Sequence, residues 1–236
     1  MQLPFFFEEN ISQGSHTLNS ETSKHVVQVL RMQIGEKILL TNGKGQLVTA
    51  EITNNHKKAC EVAILEAQDI PVVTGRKVAV AVSPLKNNSR FEWFLEKATE
   101  LGIADIFPII TSRTERQHFR YERLQTICIS AMLQSRQAWL PTLHQPVNIN
   151  DLITSNTAYN HLFIAHCIDE ASKSELSQNL NSSISDALIL IGPEGDFTPA
   201  EISLALENKF KPVSLGPTRL RTETAALVAT TLLRLV

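Results

Sequence analysis

Apolar and polar positions follow two different rhythms along this chain. Up to about residue 70 the apolar residues come in short runs, Lys37 to Leu40, Gln46 to Ile52 and Cys60 to Leu65, with the length and residue types of strands. Turn-forming residues separate them, Asn42-Gly43-Lys44-Gly45 and Asn54-Asn55. One helix interrupts this part, expected from about Glu21 to Arg31, with Ser20 as its N-cap and Val26, Val27 and Leu30 on one face. The pattern reads as a small β-barrel module. The stretch from Asp69 to Gly75 reads as a linker.

From Lys77 the rhythm becomes strand, helix, strand. Val78 to Ser83 is a continuous apolar run, the mark of a strand buried on both faces. Ser89-Arg-Phe-Glu92 has the spacing of a capping box, and the helix it would open runs through Phe91, Phe94, Leu95 and Ala98 to a stop at Gly102. Ile103 to Thr111 reads as a strand and Arg120 to Ala138 as a helix. His161 to Cys167, Ala187 to Ile191 and Pro212 to Leu215 supply further strands. Thr198-Pro-Ala-Glu201 is a second capping box with proline at the first helical position, and a last helix spans about Glu223 to Leu235. Strands alternating with helices predict a parallel α/β sheet.

At 236 residues, 43% of them hydrophobic, the chain can bury a core without disulfides or metals. Its three cysteines, Cys60, Cys128 and Cys167, lie far apart with no CxxC spacing. The seven histidines show no metal-ligand spacing, so no metal is expected, and His166 beside Cys167 reads as packing. No apolar stretch approaches a membrane span, and Phe5 to Phe7 lack the flank and length of a signal peptide. A cytoplasmic setting is therefore expected. The net charge of -2 conceals an uneven distribution. Between Arg76 and Arg136 there are ten Lys or Arg against six acidic residues, and between Asp151 and Phe210 two against nine. One basic face is compatible with that division.

Chemistry concentrates in two segments, Ile191-Gly-Pro-Glu-Gly-Asp-Phe-Thr-Pro199 and Leu215-Gly-Pro-Thr-Arg-Leu-Arg-Thr-Glu-Thr224. Each follows a buried strand and precedes a helix, the junction at which open α/β sheets bind ligands. Gly192, Gly195 and Gly216 let backbone groups approach a ligand closely, and Pro193 and Pro217 stiffen the loops. No GxxxxGK[ST], dinucleotide glycine pattern or GxSxG occurs, which disfavours a P-loop, a nicotinamide site and a serine hydrolase. Such loops suit a ligand held largely by backbone groups, such as an adenosyl moiety.

Gly-Pro-Glu-Gly at 192–195, Leu-Gly at 215–216 and Leu-Arg-Thr-Glu-Thr at 220–224 resemble the RsmE family, with support from Glu96-Lys-Ala-Thr-Glu-Leu-Gly102 and Leu30-Arg31. These are bacterial 16S ribosomal RNA uridine N3-methyltransferases of the SPOUT superfamily. The resemblance extends over essentially the whole chain. It implies a PUA-like RNA-binding β-barrel at 1–72 and a parallel α/β SPOUT methyltransferase domain with a trefoil knot at 73–236. It also implies S-adenosyl-L-methionine (SAM) as cofactor, a homodimer, and 16S rRNA of the small ribosomal subunit, in the decoding region, as partner.

Carried over position by position, the resemblance assigns Ile191, Gly192, Glu194, Gly195, Leu215, Gly216 and Leu220 to the cofactor. Arg221 and Glu223 become the catalytic pair, stabiliser and orienter of the anion that uridine N3 must form. Arg31, Lys86, Arg90, Arg113, Arg116, Arg120 and Arg123 are candidate RNA contacts. The family's Glu-Gln-Ser-Gly-Arg run reads Leu133-Gln-Ser-Arg-Gln137 here, with the glycine and arginine positions changed. No general base stands out. Two other readings stay open: a SPOUT enzyme with another target nucleotide, and a non-catalytic RNA-binding protein. A third, a small-molecule nucleotide enzyme, lacks phosphate-loop motifs.

Overall fold

The computed structural model describes residues 2–72, 77–115, 119–155, 158–168, 173–180 and 184–235. The chain forms two compact units, one of residues 1–73 with 132–140, the other of 74–131 with 141–236.

The first unit holds β1 (Phe5–Phe7), β2 (Ser15–Thr17), the short helix α1 (Ser20–Lys24), β3 (Lys37–Thr41), β4 (Gln46–Asn54) and β5 (Glu61–Asp69). Its sheet runs β1-β3-β4-β5-β2, with β1 parallel to β3 and the other pairs antiparallel. Alternation along β4 sends Val48, Ala50 and Ile52 inward, where they join Phe6, Leu18, Val26, Ile38 and Leu40 in one core.

The helix of this unit differs from expectation in three ways. Its N-cap is Asn19, whose side chain accepts from Glu21 N and Thr22 N at 2.9 Å, and Ser20 is already helical. Asn19 is fixed there because Glu8 Oε1 accepts from both its backbone and its side-chain nitrogen. After Lys24 the chain widens into a π-turn, His25–Val29, and the wider turn rotates Leu30 out to 44% exposure, off the expected apolar face.

The second unit contains β6 (Lys77–Val82), α2 (Asn88–Glu100), β7 (Asp105–Ile110), α3 (Tyr121–Gln134, apart from its last three residues, which belong to the first unit), β8 (Thr142–Leu143), β9 (Val147–Asn148) and α4 (Ile149–Ser155). It continues with β10 (His161–Ala165), β11 (Ser174–Glu175), β12 (Asp186–Ile191), α5 (Pro199–Glu207), β13 (Lys211–Ser214) and α6 (Thr222–Leu235). All its strand pairs are parallel, in the order β11-β13-β10-β12-β6-β7-β8, with β9 also on β7. Ala79, Ala81, Leu188 and Leu190 face α4 and α5, packing with Ile149, Ile153, Ile202 and Ala205. The alternate residues face the other side, where α6 packs on β6 and β12 and α2 packs on α6. That two-sided burial explains why β6 and β12 read as unbroken apolar runs.

The cap of α2 is also displaced from the sequence reading. Asn87 caps it by accepting from Ser89 N at 2.9 Å, and the expected capping partner Glu92 is instead held by Arg123. Asparagine caps at least as well as serine, so the earlier residue prevails. The second expected capping box is present as read: Thr198 caps α5 with Pro199 at its first turn.

Candidate active site

Because the sheet is parallel, the carboxyl ends of β10, β12, β13, β6 and β7 all lie along one edge. The loops leaving β12 and β13 meet there. They bound a cleft of about 450 Å³ lined by Arg90, Ile191, Gly192, Glu194, Arg221 and Glu223, among others. A neighbouring cleft of about 400 Å³ is lined by Cys167, Lys173, Leu215, Gly216 and Leu220. The two share Ala165, Cys167, Arg219, Leu220 and Ala225.

The loop after β12 is held from three directions. Asp196, in a left-handed conformation (φ 64°), accepts from Cys167 N at the end of β10 (2.8 Å) and from Phe197 N (2.8 Å). The Phe197 ring is buried in the core behind the loop. Glu201 accepts from Thr198 N (2.7 Å) and Thr198 Oγ1 (2.9 Å), and through its other oxygen from Ser112 N (2.8 Å) in the loop after β7. Burial pushes the Glu201 carboxyl up, but the hydrogen bonds from Ser112 and Thr198 outweigh it and leave the pKa lowered. Arg113, from that same β7 loop, donates through Nη1 to Gly195 O (2.6 Å) and more weakly to Phe197 O (3.4 Å). Ser83 and Thr111 fix the base of this loop through Thr114 Oγ1, at 2.8 and 3.0 Å.

Gly192 and Gly216 meet different requirements. A Cβ on Gly192 would lie 3.2 Å from Phe197 N and 3.3 Å from its ring, so the constraint is steric. Gly216 has φ +127° with open space where a Cβ would go, so its constraint is backbone conformation. Ser214 Oγ closes that turn by donating to Gly216 O at 3.0 Å.

Among the expected cofactor residues, Ile191, Gly192, Glu194, Leu215, Gly216 and Leu220 line one cleft or the other, and Leu220 lines both. Gly195 is not among the lining residues, and its carbonyl is taken by Arg113. Arg221 and Glu223 both line the first cleft, but the ion pair of Glu223 is with Arg90, Nε to Oε1 at 3.7 Å. Arg221 is exposed.

The expected RNA residues do not form one set. Arg90 lines the cleft, and Arg113 is bound to the β12 loop. Arg123 makes a two-pronged pair with Glu92 at 2.6 and 3.0 Å, which holds the Glu92 carboxyl below its usual range. Lys86 pairs with Glu115 at 3.0 Å, and Arg120 is exposed. Arg31 lies in the first unit, exposed at φ 56°. Arg116 falls outside the described residues. Sequence reasoning passed over Asp196, Ser112 and Lys173, whose amine donates to His166 O. A signal existed only for Glu201, through its capping box.

A parallel α/β sheet with two glycine-proline loops at the ends of the strands on either side of β10, preceded by a small β unit, is the build of an RNA methyltransferase. Residues 74–234 match the family model described as the RNA methyltransferase domain, and residues 18–65 the RNA methyltransferase PUA domain. The ribosomal RNA small subunit methyltransferase E of Rickettsia conorii is 32% identical over 93% of this chain and 89% of its own. A probable rRNA-methyltransferase from Porphyromonas gingivalis superposes with a TM-score of 0.89 at 37% identity, covering 97% of this chain and 96% of that one. A ribosomal RNA small subunit methyltransferase E from Neisseria gonorrhoeae, solved bound to S-adenosyl methionine, gives 0.84 at 29%, covering 98% and 96%. The chain belongs to the ribosomal RNA small subunit methyltransferase E family. No helix among the described residues is long and apolar enough to cross a membrane.

Proposed function

We propose that this chain transfers a methyl group from SAM to N3 of a uridine in the decoding region of 16S rRNA, in the small ribosomal subunit of the cytoplasm. The observation that carries the reading is the pair of clefts bounded by the β12 and β13 loops. Their size suits a nucleoside-sized ligand. Gly192, where a Cβ would crowd Phe197, and Gly216, which needs a glycine conformation, put backbone in the cleft walls that suits an adenosyl group. Ile191, Leu215 and Leu220 supply apolar surface, and Glu194 a carboxylate at the rim.

When bound, SAM supplies an electrophilic methyl on a sulfonium. The protein's task is to place uridine N3 in line with it and to accommodate the charge that N3 gains on losing its proton. That charge spreads onto O2 and O4. Three arginines, Arg90, Arg219 and Arg221, line the first cleft, a concentration of positive charge suited to an anionic base and its phosphates. The exposed Arg31, on the PUA unit, and Arg120 are further phosphate contacts in this reading.

A trefoil knot is supported by strand order. Strand β13 lies between β10 and β11, although it follows both of them in the chain. From there it returns to pack α6 on β6 and β12. A homodimer is supported by α6, where Leu227, Val228 and Leu232 stay half-exposed and Leu235 is 67% exposed.

The test is methyl transfer from labelled SAM to unmodified small subunits, followed by digestion of the RNA and identification of the nucleoside by mass. N3-methyluridine is the expected product. A different methylated nucleoside overturns the base assignment, and absence of SAM binding overturns the cofactor assignment.

A further inference from the structure

Accepting that uridine N3 is the target, the geometry points to Arg90, not Arg221, as the residue that receives the negative charge of the uracil, with Glu223 as its positioning residue. A group that stabilises charge in a transition state works best when it is already fixed before reaction. The cleft's three arginines differ in that respect. Arg219 and Arg221 are exposed, and their guanidinium groups have no hydrogen-bond or ionic partner among the described residues. Arg90, in the first turn of α2, is half-buried with its Nε 3.7 Å from Glu223 Oε1.

Glu223 is well suited to hold it. Its side chain is only 10% exposed, and it sits in the first turn of α6, directly after the β13 loop. A buried carboxylate needs a cation beside it, and Arg90 is its ionic partner among the described residues. The pair therefore fixes the cleft wall from two helices at once. The ion pair at 3.7 Å engages the Nε side of the guanidinium and leaves its terminal N–H groups for other acceptors, and their planar fork matches two adjacent acceptors such as N3 and O4 of a deprotonated uracil. The other charged groups of this cleft are Glu194 and Asp196 from the β12 loop and Arg219 and Arg221 from the β13 loop. Asp196 is already occupied by Cys167 N and Phe197 N.

In the step itself the N3–H bond breaks and its proton passes to water. The freed N3 electron pair forms the N–CH3 bond, and the S–CH3 bonding pair remains on sulfur, which leaves as a neutral thioether. Arg90 bears on the first of these events by lowering the cost of the anion.

The experiment compares wild type, Arg90→Gln, Arg90→Lys and the double variant Arg90→Gln/Glu223→Gln. Substrates are small subunits carrying uridine or 5-fluorouridine at the target, whose N3 ionises more readily. Arg90→Gln is expected to slow single-turnover transfer to uridine by about 10²–10³-fold, with SAM affinity unchanged and the rate still climbing at pH values where wild type has levelled. The 5-fluorouridine substrate should recover a large part of that loss, and Arg90→Lys should retain an intermediate rate. The double variant removes the stranded buried carboxylate, so it preserves the result should Arg90→Gln alone fail to fold. Equal losses on both substrates with an unshifted pH profile would overturn the assignment and make Arg90 a structural residue. A full effect in Arg221→Gln with none in Arg90→Gln would overturn it in favour of Arg221. If wild type does not methylate N3, the reaction reading fails first, and that result appears before any variant is compared.

Discussion

Replacing Glu201 with alanine tests whether the β12 loop is held by the network that surrounds it. The carboxylate is 4% exposed and accepts three hydrogen bonds, from Ser112 N, Thr198 N and Thr198 Oγ1. Losing the capping box costs about 1 kcal/mol, and stranding the Ser112 amide costs about 1–3 kcal/mol more. The sum is about 2–4 kcal/mol. At about 2–4 °C per kcal/mol for a unit of this size, the melting temperature of the methyltransferase unit falls by about 4–16 °C. Alanine also removes the tie between the β7 and β12 loops, so SAM affinity should fall with stability. The pH dependence has a defined sign. A carboxyl held below its ordinary pKa in the folded state contributes stability above that ordinary value, and the contribution is lost as pH falls through the lowered one. Wild type should therefore lose stability in acid faster than Glu201→Ala, and the two should converge. The assay is urea unfolding across the acid range, with calorimetric SAM titration at neutral pH. A change below about 1 kcal/mol, or parallel acid profiles, would refute the reasoning by showing that solvent replaces the carboxylate at no cost.

Three further outcomes follow from the same geometry. Arg113→Met should weaken SAM binding by about tenfold, the equivalent of about one net hydrogen bond, while RNA affinity and its salt dependence stay unchanged; a shallower salt slope with intact SAM binding would return Arg113 to the RNA contacts. Gly216→Ala should cost about 1–3 kcal/mol through backbone strain alone, read as lower SAM affinity and a lower melting temperature, because its Cβ meets nothing. Asp105→Asn, at the opposite end of the sheet, should destabilise the unit without affecting SAM affinity, since Asp105 binds His144 (2.8 Å) and Tyr159 (2.6 Å), not the clefts; thermal melts and calorimetry separate the two effects.

The sequence was legible where local pattern and burial agree. Continuous apolar runs marked β6 and β12 because both sheet faces are covered, and Thr198-Pro-Ala-Glu201 marked α5 because its cap is made by neighbours in sequence. Strands of two or three residues, β1, β2, β8, β9 and β11, carry too few positions to show a period. The sequence reading carried a helix through to Ala138, whereas the helix ends at Gln134 and residues 132–140 cluster with the first unit through contacts that no local pattern signals. Trp139 Nε1 donates to Ile70 O, and a Cβ on Gly45 would lie 2.4 Å from the Trp139 ring, so a glycine that reads as a turn residue is also the floor under an indole. The altered run Leu133-Gln-Ser-Arg-Gln137 gains a physical meaning in the same way. Arg136 stands where the family pattern has glycine and adopts φ 57°, the conformation glycine takes without strain. The arginine has compensating contacts, two hydrogen bonds to Leu3 O and a seat 5.5 Å from the Phe5 ring.

The candidate site divides along the same line. Its glycines and prolines were visible because they are adjacent in sequence, but what holds them in place is not. Ser112 to Glu201, Arg113 to Gly195 and Cys167 to Asp196 span 89, 82 and 29 residues. The first two tie the β7 loop, and the third the end of β10, to the β12 loop. The reassignment of Glu223 has the same origin. Two positions apart, Arg221 and Glu223 look like a pair in the sequence. Arg221, however, precedes α6, which begins at Thr222, and is exposed, whereas Glu223 lies in the first turn of the helix and is buried beside α2. Its partner had to come from a neighbouring helix, and Arg90 is the cation that α2 supplies.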